Sequence, residues 1–160
     1  SAFGLAQRLG TSRTVAADLR NTYFEQFPKI RAFIDNTVEA ARKDGYVKTL
    51  LGRKRPLRDI NSRNATVRAG AERIAVNTPV QGSAADLIKL AMVAVATQIK
   101  AKGLRSRLLL QVHDELVFDV PRDEVEQMRA LVEECMTTVV QLPIPLKVDI
   151  GVGDNWLEAH

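Results

Sequence analysis

Between Ser12 and Gly45 the apolar residues Val15, Leu19, Tyr23, Phe27, Ile30, Phe33, Ile34, Val38 and Ala41 recur at spacings of three and four. That spacing predicts an amphipathic helix with one buried face. Pro28 predicts a break or kink within it, and Gly45 its end. A shorter helix is expected over residues 1–10, closing at Gly10, with Thr11 or Ser12 starting the next. At helical spacing Tyr23, Phe24, Phe27 and Phe33 are expected in a core rather than stacked on bases.

The pattern changes at Tyr46. Residues 46–51 read as a strand, Gly52 as a turn, and Arg53-Lys54-Arg55-Pro56-Leu57 as a second strand or a basic loop. Residues 59–63 are polar loop. A helix is predicted over about 66–76, limited by Pro79, because the residue before a proline avoids the helical region. Gln81-Gly82 then predicts a turn, and Ser83 a cap in an S-x-x-D box with Asp86. The next helix, roughly 84–100, would bury Leu87, Ile88, Ala91, Val95 and Ile99 and end at Gly103.

Two β-compatible runs, Arg107–Val112 and Leu116–Val120, flank His113-Asp114-Glu115. This predicts a hairpin with a charged tip outside the core. A paired Asp and Glu offer hard oxygen ligands, and Mg²⁺ uses only one or two protein carboxylates. Acidic residues at a turn are also common simply because they stay solvated there.

After Pro121 a helix is predicted with Asp123 and Glu126 in capping-box spacing and Val125, Met128, Val132, Cys135 and Val139 buried. Leu146, Val148 and Ile150 alternate, predicting a closing strand within residues 142–151, with Pro143 and Pro145 at its start or edge. The order helix, strand, strand, helix, strand implies an α+β fold: an antiparallel sheet with helices on one face, preceded by a mainly helical segment.

Composition adds three constraints. The 160 residues are 46% hydrophobic, enough for one domain or two small lobes. The net charge is +4, and residues 48–73 alone hold eight basic and two acidic residues, leaving −2 for the rest. That basic stretch suits contact with phosphates. Cys135 is the single cysteine, so neither a disulfide framework nor a cysteine zinc site is expected. The apolar stretch around residues 87–99, interrupted by Lys89, Thr97 and Gln98, is too short to span a bilayer, and the reading is of a soluble protein. The chain starts at Ser1 without an initiator methionine and is expected to be a piece of something longer.

Arg73 and Asn77 lie four apart, on one helical face, and Gln81 follows. Donors reaching the minor groove would meet acceptors that every base pair presents in nearly the same place. They would sense pair geometry while ignoring sequence.

Taken together, residues 111–119 (QVHDELVFD), 77–86 (NTPVQGSAAD), 45–55 (GYVKTLLGRKR) and the ending Gly153-Asp154-Asn155-Trp156 resemble the C-terminal part of a family A DNA polymerase, the bacterial DNA polymerase I type. The resemblance covers essentially the whole chain. It implies that Asp114 binds the catalytic metals, that Glu115 supports the site, and that His113 lies near the primer terminus. It implies that Arg73, Asn77 and Gln81 contact the primer-template, and that Arg53, Lys54 and Arg55 meet DNA backbone. Residues 1–61 would belong to the fingers and 62–160 to the palm.

By the same resemblance the enzyme is a DNA-directed DNA polymerase of replication and repair. It would add deoxynucleoside triphosphates to a primer 3′-hydroxyl with two Mg²⁺ ions about 3.5 to 4 Å apart. The family's other essential Asp and its nucleotide-gripping helix precede this segment, so the chain alone is expected to be inactive and to need the upstream part of the same polymerase. The expected location is the bacterial cytoplasm, associated with the nucleoid. Departures from the family pattern are Arg58 for proline, Ser83 for threonine and Asp119 for glutamate. The alternatives are a non-catalytic basic DNA-binding fragment and, more weakly, a metal-dependent nuclease.

Overall fold

A computed structural model describes residues 2–159; Ser1, where the first predicted helix begins, lies outside them. Helix α1 spans Ala2–Leu9, and Gly10 follows in the left-handed region. Helix α2 (Arg13–Gln26) is capped by Ser12, whose hydroxyl accepts from the Val15 amide. Helix α3 (Pro28–Asp44) opens on Pro28 at its first turn, where the missing N–H leaves no bond broken, and closes on Gly45 at φ 75°. The predicted break at Pro28 is therefore a clean boundary between two helices.

Most of the long apolar stripe is not core: of its members only Ala41 is buried, with Ile34 and Val38 half-buried. Val15, Leu19, Tyr23, Phe27, Ile30 and Phe33 are each at least 40% exposed. Only Ala16 and Ala41 of α2 and α3 are fully buried. Periodicity correctly gave the helices, but it cannot name the surface that a stripe packs on. Tyr23 meets Phe24 edge-on and Phe27 at a tilt, at centroid distances of 5.5 and 5.1 Å, so the rings form a surface cluster.

Strands β1 (Tyr46–Lys48) and β2 (Lys54–Pro56) pair antiparallel. Helix α4 (Ala65–Asn77) starts at Asn64, whose side-chain oxygen accepts from the Thr66 and Val67 amides. The chain then departs from expectation. Residues Thr78–Gly82 form a π-helical turn leading directly into α5 (Ser83–Ala101), with no intervening reverse turn at Gln81-Gly82. Proline has no N–H to give and crowds the preceding turn; the wider π turn accommodates both. Ser83 does not cap α5. Its hydroxyl accepts from the Leu50 amide at 2.7 Å instead.

As a result residues 65–101 are helical without a break, and one 18-residue window within them has a mean hydropathy of 1.3, long and apolar enough by length and composition alone to cross a membrane. The sequence reading weighed only the apolar stretch around residues 87–99, interrupted by Lys89, Thr97 and Gln98, and took it as too short for that purpose. Arg68, Glu72, Arg73, Asp86, Lys89 and Lys100 interrupt the run's apolar character.

Strands β3 (Arg107–Val112) and β4 (Glu115–Asp119) form the second hairpin. A short 3₁₀ turn, Arg122–Glu124, leads into α6 (Val125–Thr137), and α7 (Trp156–Ala159) ends the described chain. The predicted capping box fails, since no side chain caps α6 and Asp123 pairs with Arg105. The predicted closing strand is absent among the described residues. Leu146, Val148 and Ile150 are half-buried and alternate with exposed Lys147 and Asp149, yet they join no ladder. Pro143 and Pro145 remove two donors, and alternation by itself supplies no neighbouring strand.

Residues 2–48 and 52–79 make one compact unit, and residues 49–51 and 80–159 a second. The first is centred on Ala41, Val47, Leu57, Ile60, Ala71 and Ala75. Its α3 and α4 are tied at the surface by Arg42 to Glu72 at 2.6 Å. The second is centred on Val95, Met128, Leu131 and Val132, with Ile99, Leu104, Phe118, Val120, Cys135 and Ile150 packed around them.

Candidate functional site

The carboxylate hairpin is held at both ends. At its tip Val112 pairs with Glu115, leaving His113 and Asp114 as a two-residue loop. Such loops need left-handed backbone to match the twist of the strands, and glycine usually supplies it. Here His113 does so at φ 52°, and a side chain in that region costs about 1–2 kcal/mol. The Gln111 amide donates to the His113 carbonyl and braces the loop. Asp114 is exposed at the tip, whereas Glu115 is half-buried and begins β4. The expectation of three tip residues is thus refined to two. Midway, the register shifts between Leu108 and Leu110, so Leu109 bulges out and the strand bends.

At the base, Glu124 is buried and receives five hydrogen bonds. The Arg105 amide reaches Oε1 at 3.0 Å, and the Ser106 amide and hydroxyl reach Oε2 at 2.9 and 2.6 Å. The Arg105 amide also lies 3.1 Å from Oε2, and the Arg105 Nε 3.1 Å from Oε1. The Ser106 hydroxyl first, then the Arg105 amide, hold the Glu124 carboxyl down at about 2, against opposition from burial. The guanidinium of Arg105 also pairs with Asp123, and these bonds raise its own pKa.

Sequence reasoning assigned none of Arg105, Ser106, Gln111 and Glu124 an individual role. The available signal was an acidic pair just after β4 and a basic residue just before β3.

Asp114 and Glu115 fit part of a Mg²⁺ site. They are adjacent hard-oxygen donors at the polar end of a hairpin, and Mg²⁺ takes one or two such carboxylates. Among the described residues no group of three or more His, Cys, Asp or Glu side chains is placed to hold a metal ion. The donor set is therefore partial.

The basic residues lie on the other hairpin. Lys48 and Lys54 face each other across β1 and β2, with Tyr46 between them: Lys54 Nζ is 4.5 Å and Lys48 Nζ 5.7 Å from its ring centroid. Like charges directly opposite destabilise a sheet, and the ring face offsets this by attracting both ammonium groups. Arg53, Lys54 and Arg55 are all exposed. Arg55 reaches Thr78 Oγ1 at 3.5 Å, and that hydroxyl donates to the Ile74 carbonyl at 2.7 Å. Arg73 and Asn77 are exposed four residues apart on α4, and Gln81 is exposed on the π turn rather than at a helix end.

Oxygen donors on one hairpin and crowded cations on another suit a hard cation and a polyanion respectively. Sequence comparison gives the family. Residues 1–158 match the profile described as DNA polymerase family A, and the chain belongs to that family.

It is 50% identical to DNA polymerase I of Bacillus caldotenax and 52% identical to that of Chloroflexus aurantiacus, each over 99% of this chain. The chain spans 18% and 17% of those relatives' lengths. Among solved structures, the POL domain of Pol1 from M. smegmatis, in complex with DNA primer-template and dNTP, superposes with a TM-score of 0.97 at 48% identity. That match covers 99% of this chain and 28% of the other.

Proposed function

We propose that the chain is the C-terminal fingers and palm portion of a DNA-directed DNA polymerase that extends a primer 3′-hydroxyl in replication and repair. The observation carrying this reading is the braced hairpin tip with Asp114 and Glu115, in a chain of this family. Asp114 is proposed as a direct metal ligand and Glu115 as its supporting carboxylate. His113, Arg73, Asn77 and Gln81 are proposed to contact the primer-template, and Arg53, Lys54 and Arg55 its phosphates. Residues 1–61 are assigned to the fingers and 62–160 to the palm, a functional division that differs from the two packing units.

Two bound Mg²⁺ ions supply activation of the attacking oxygen and charge stabilisation on the leaving pyrophosphate. The chain's own contribution is positional. Asp114 presents oxygen ligands from a loop held by the left-handed His113 and the Gln111 brace. Arg53, Lys54 and Arg55 neutralise phosphates, and a phosphate at Lys54 lowers its repulsion with the facing Lys48.

The donor set is completed by the upstream part of the same polymerase, which is a partner on this reading. The exposed stripe of Val15, Leu19, Tyr23, Phe27, Ile30 and Phe33 supports such a partner, since apolar faces of this extent mark interaction surfaces. The setting that follows is the bacterial cytoplasm, near the nucleoid.

The test is Mg²⁺-dependent primer extension by this chain alone and joined to the upstream part. Extension is expected only in the joined enzyme, and Asp114→Ala should abolish it while leaving DNA binding largely intact. Extension by the chain alone would overturn the split donor set. Indifference of the joined enzyme to Asp114→Ala would favour a non-catalytic DNA-binding fragment.

A further inference from the structure

Resting on the reading of the hairpin as the metal-holding element, we infer that Glu124 is a positioning residue: from the hairpin's base, it fixes where Asp114 and Glu115 stand. The last ladder pair is Arg107 with Asp119. Beyond it the chain leaves the sheet on both sides, and the amides of Arg105 and Ser106 would lose their partners. The Glu124 carboxylate takes both, together with the Ser106 hydroxyl. Side-chain bonds thus continue the pairing where the backbone stops.

The clamp lies beside the apolar core. Ser106 and Glu124 are 3% and 8% exposed, and Leu104, Phe118 and Val120 pack on the cluster of Val95, Met128, Leu131 and Val132. A two-stranded hairpin has little stability of its own, and this one is further weakened by the bulge at Leu109. Its direction is set where it is anchored.

Leverage makes the anchor matter. β3 has six residues, so the hairpin reaches about 20 Å at the usual rise per residue. A tilt of about 3° at the base then moves the tip by about 1 Å, a displacement that can cost on the order of 100-fold in rate. The Ser106 hydroxyl bond is the shortest of the set that involves no guanidinium, and its loss alone should loosen the base.

The test uses the whole polymerase carrying Glu124→Gln, Glu124→Asp or Ser106→Ala, measured for nucleotide addition, Mg²⁺ dependence, DNA affinity and hydrogen exchange of amides 107–119. Glu124→Gln should lower kcat about ten-fold, within the range for residues that orient metal ligands. It should also raise the half-saturating Mg²⁺ concentration and speed exchange at the hairpin, with dNTP KM and DNA affinity unchanged. Glu124→Asp should restore most of kcat, and Ser106→Ala should fall between.

Should Glu124→Gln fail to fold, Ser106→Ala decides on the same readouts. A lowered melting temperature with kcat and Mg²⁺ dependence unaltered would overturn the inference and leave Glu124 a purely structural residue. Asp114→Ala is run beside these variants. If it retains extension, the hairpin reading falls and this inference with it; if it abolishes extension while the clamp variants stay at full rate, only the inference falls.

Discussion

Replacing His113 with glycine should make the protein more stable and the enzyme worse. His113 holds φ 52° with an exposed imidazole that has no hydrogen-bond partner among the described residues. Removing its Cβ relieves about 1–2 kcal/mol of left-handed strain. Glycine adds unfolded-state freedom worth about 0.5–1 kcal/mol in the other direction. The net gain is about 0–1.5 kcal/mol, and at the usual slope for a chain of this size the melting temperature should rise by up to roughly 6 °C, with about 2 °C at mid-range.

Thermal unfolding monitored by circular dichroism measures this directly. Primer extension by the joined polymerase carrying the same change should slow, because the glycine loop is free to leave the geometry that presents Asp114. His113→Asn, tolerated in left-handed backbone, should fall between on both axes. A glycine variant that melts lower would refute the strain argument. One that melts higher yet extends primers at full rate would refute the claim that a rigid tip matters.

Three further outcomes follow from the same geometry. Leu131, at 2% exposure, lies among Val95, Met128 and Val132; Leu131→Ala should cost about 3–5 kcal/mol in denaturant unfolding. Glu124, with its carboxyl at about 2 in the folded protein against an ordinary 4.5, adds stability that is fully present above the ordinary value and is lost as pH falls through about 2. Unfolding followed across that acid range should therefore show a shallower pH dependence in Glu124→Gln than in the parent. Replacing Arg53, Lys54 and Arg55 together with alanine should weaken DNA binding uniformly across sequences. The log–log salt dependence should flatten by about 0.9 for each phosphate that is no longer neutralised, and an unchanged slope would remove these residues from the interface.

Local signals in the chain determined a good deal by themselves. Ser12, Pro28, Gly45 and Gly103 marked helix ends because capping and left-handed backbone are properties of single residues and their nearest neighbours. The hairpin around Asp114 was legible because two β-compatible runs separated by a charged break admit few other arrangements.

What tertiary structure decided concerns partners distant in sequence. Tyr23, Phe27 and Phe33 form a stripe that periodicity assigned to a core, yet they remain exposed, because a repeat of three and four fixes a face without fixing what covers it. Pro79 was read as a stop and instead sits in a π turn, whose wider coil accommodates a residue with no N–H to give. Leu146, Val148 and Ile150 alternate in burial without forming a strand, since a ladder needs a second chain segment alongside. Glu124, read as part of a helix start, became the anchor of β3 only when folding brought Arg105 and Ser106 within 2.6–3.1 Å of its oxygens. A charge buried this deeply is stable only with such donors around it, and eighteen or nineteen positions of intervening sequence hide them from any local reading.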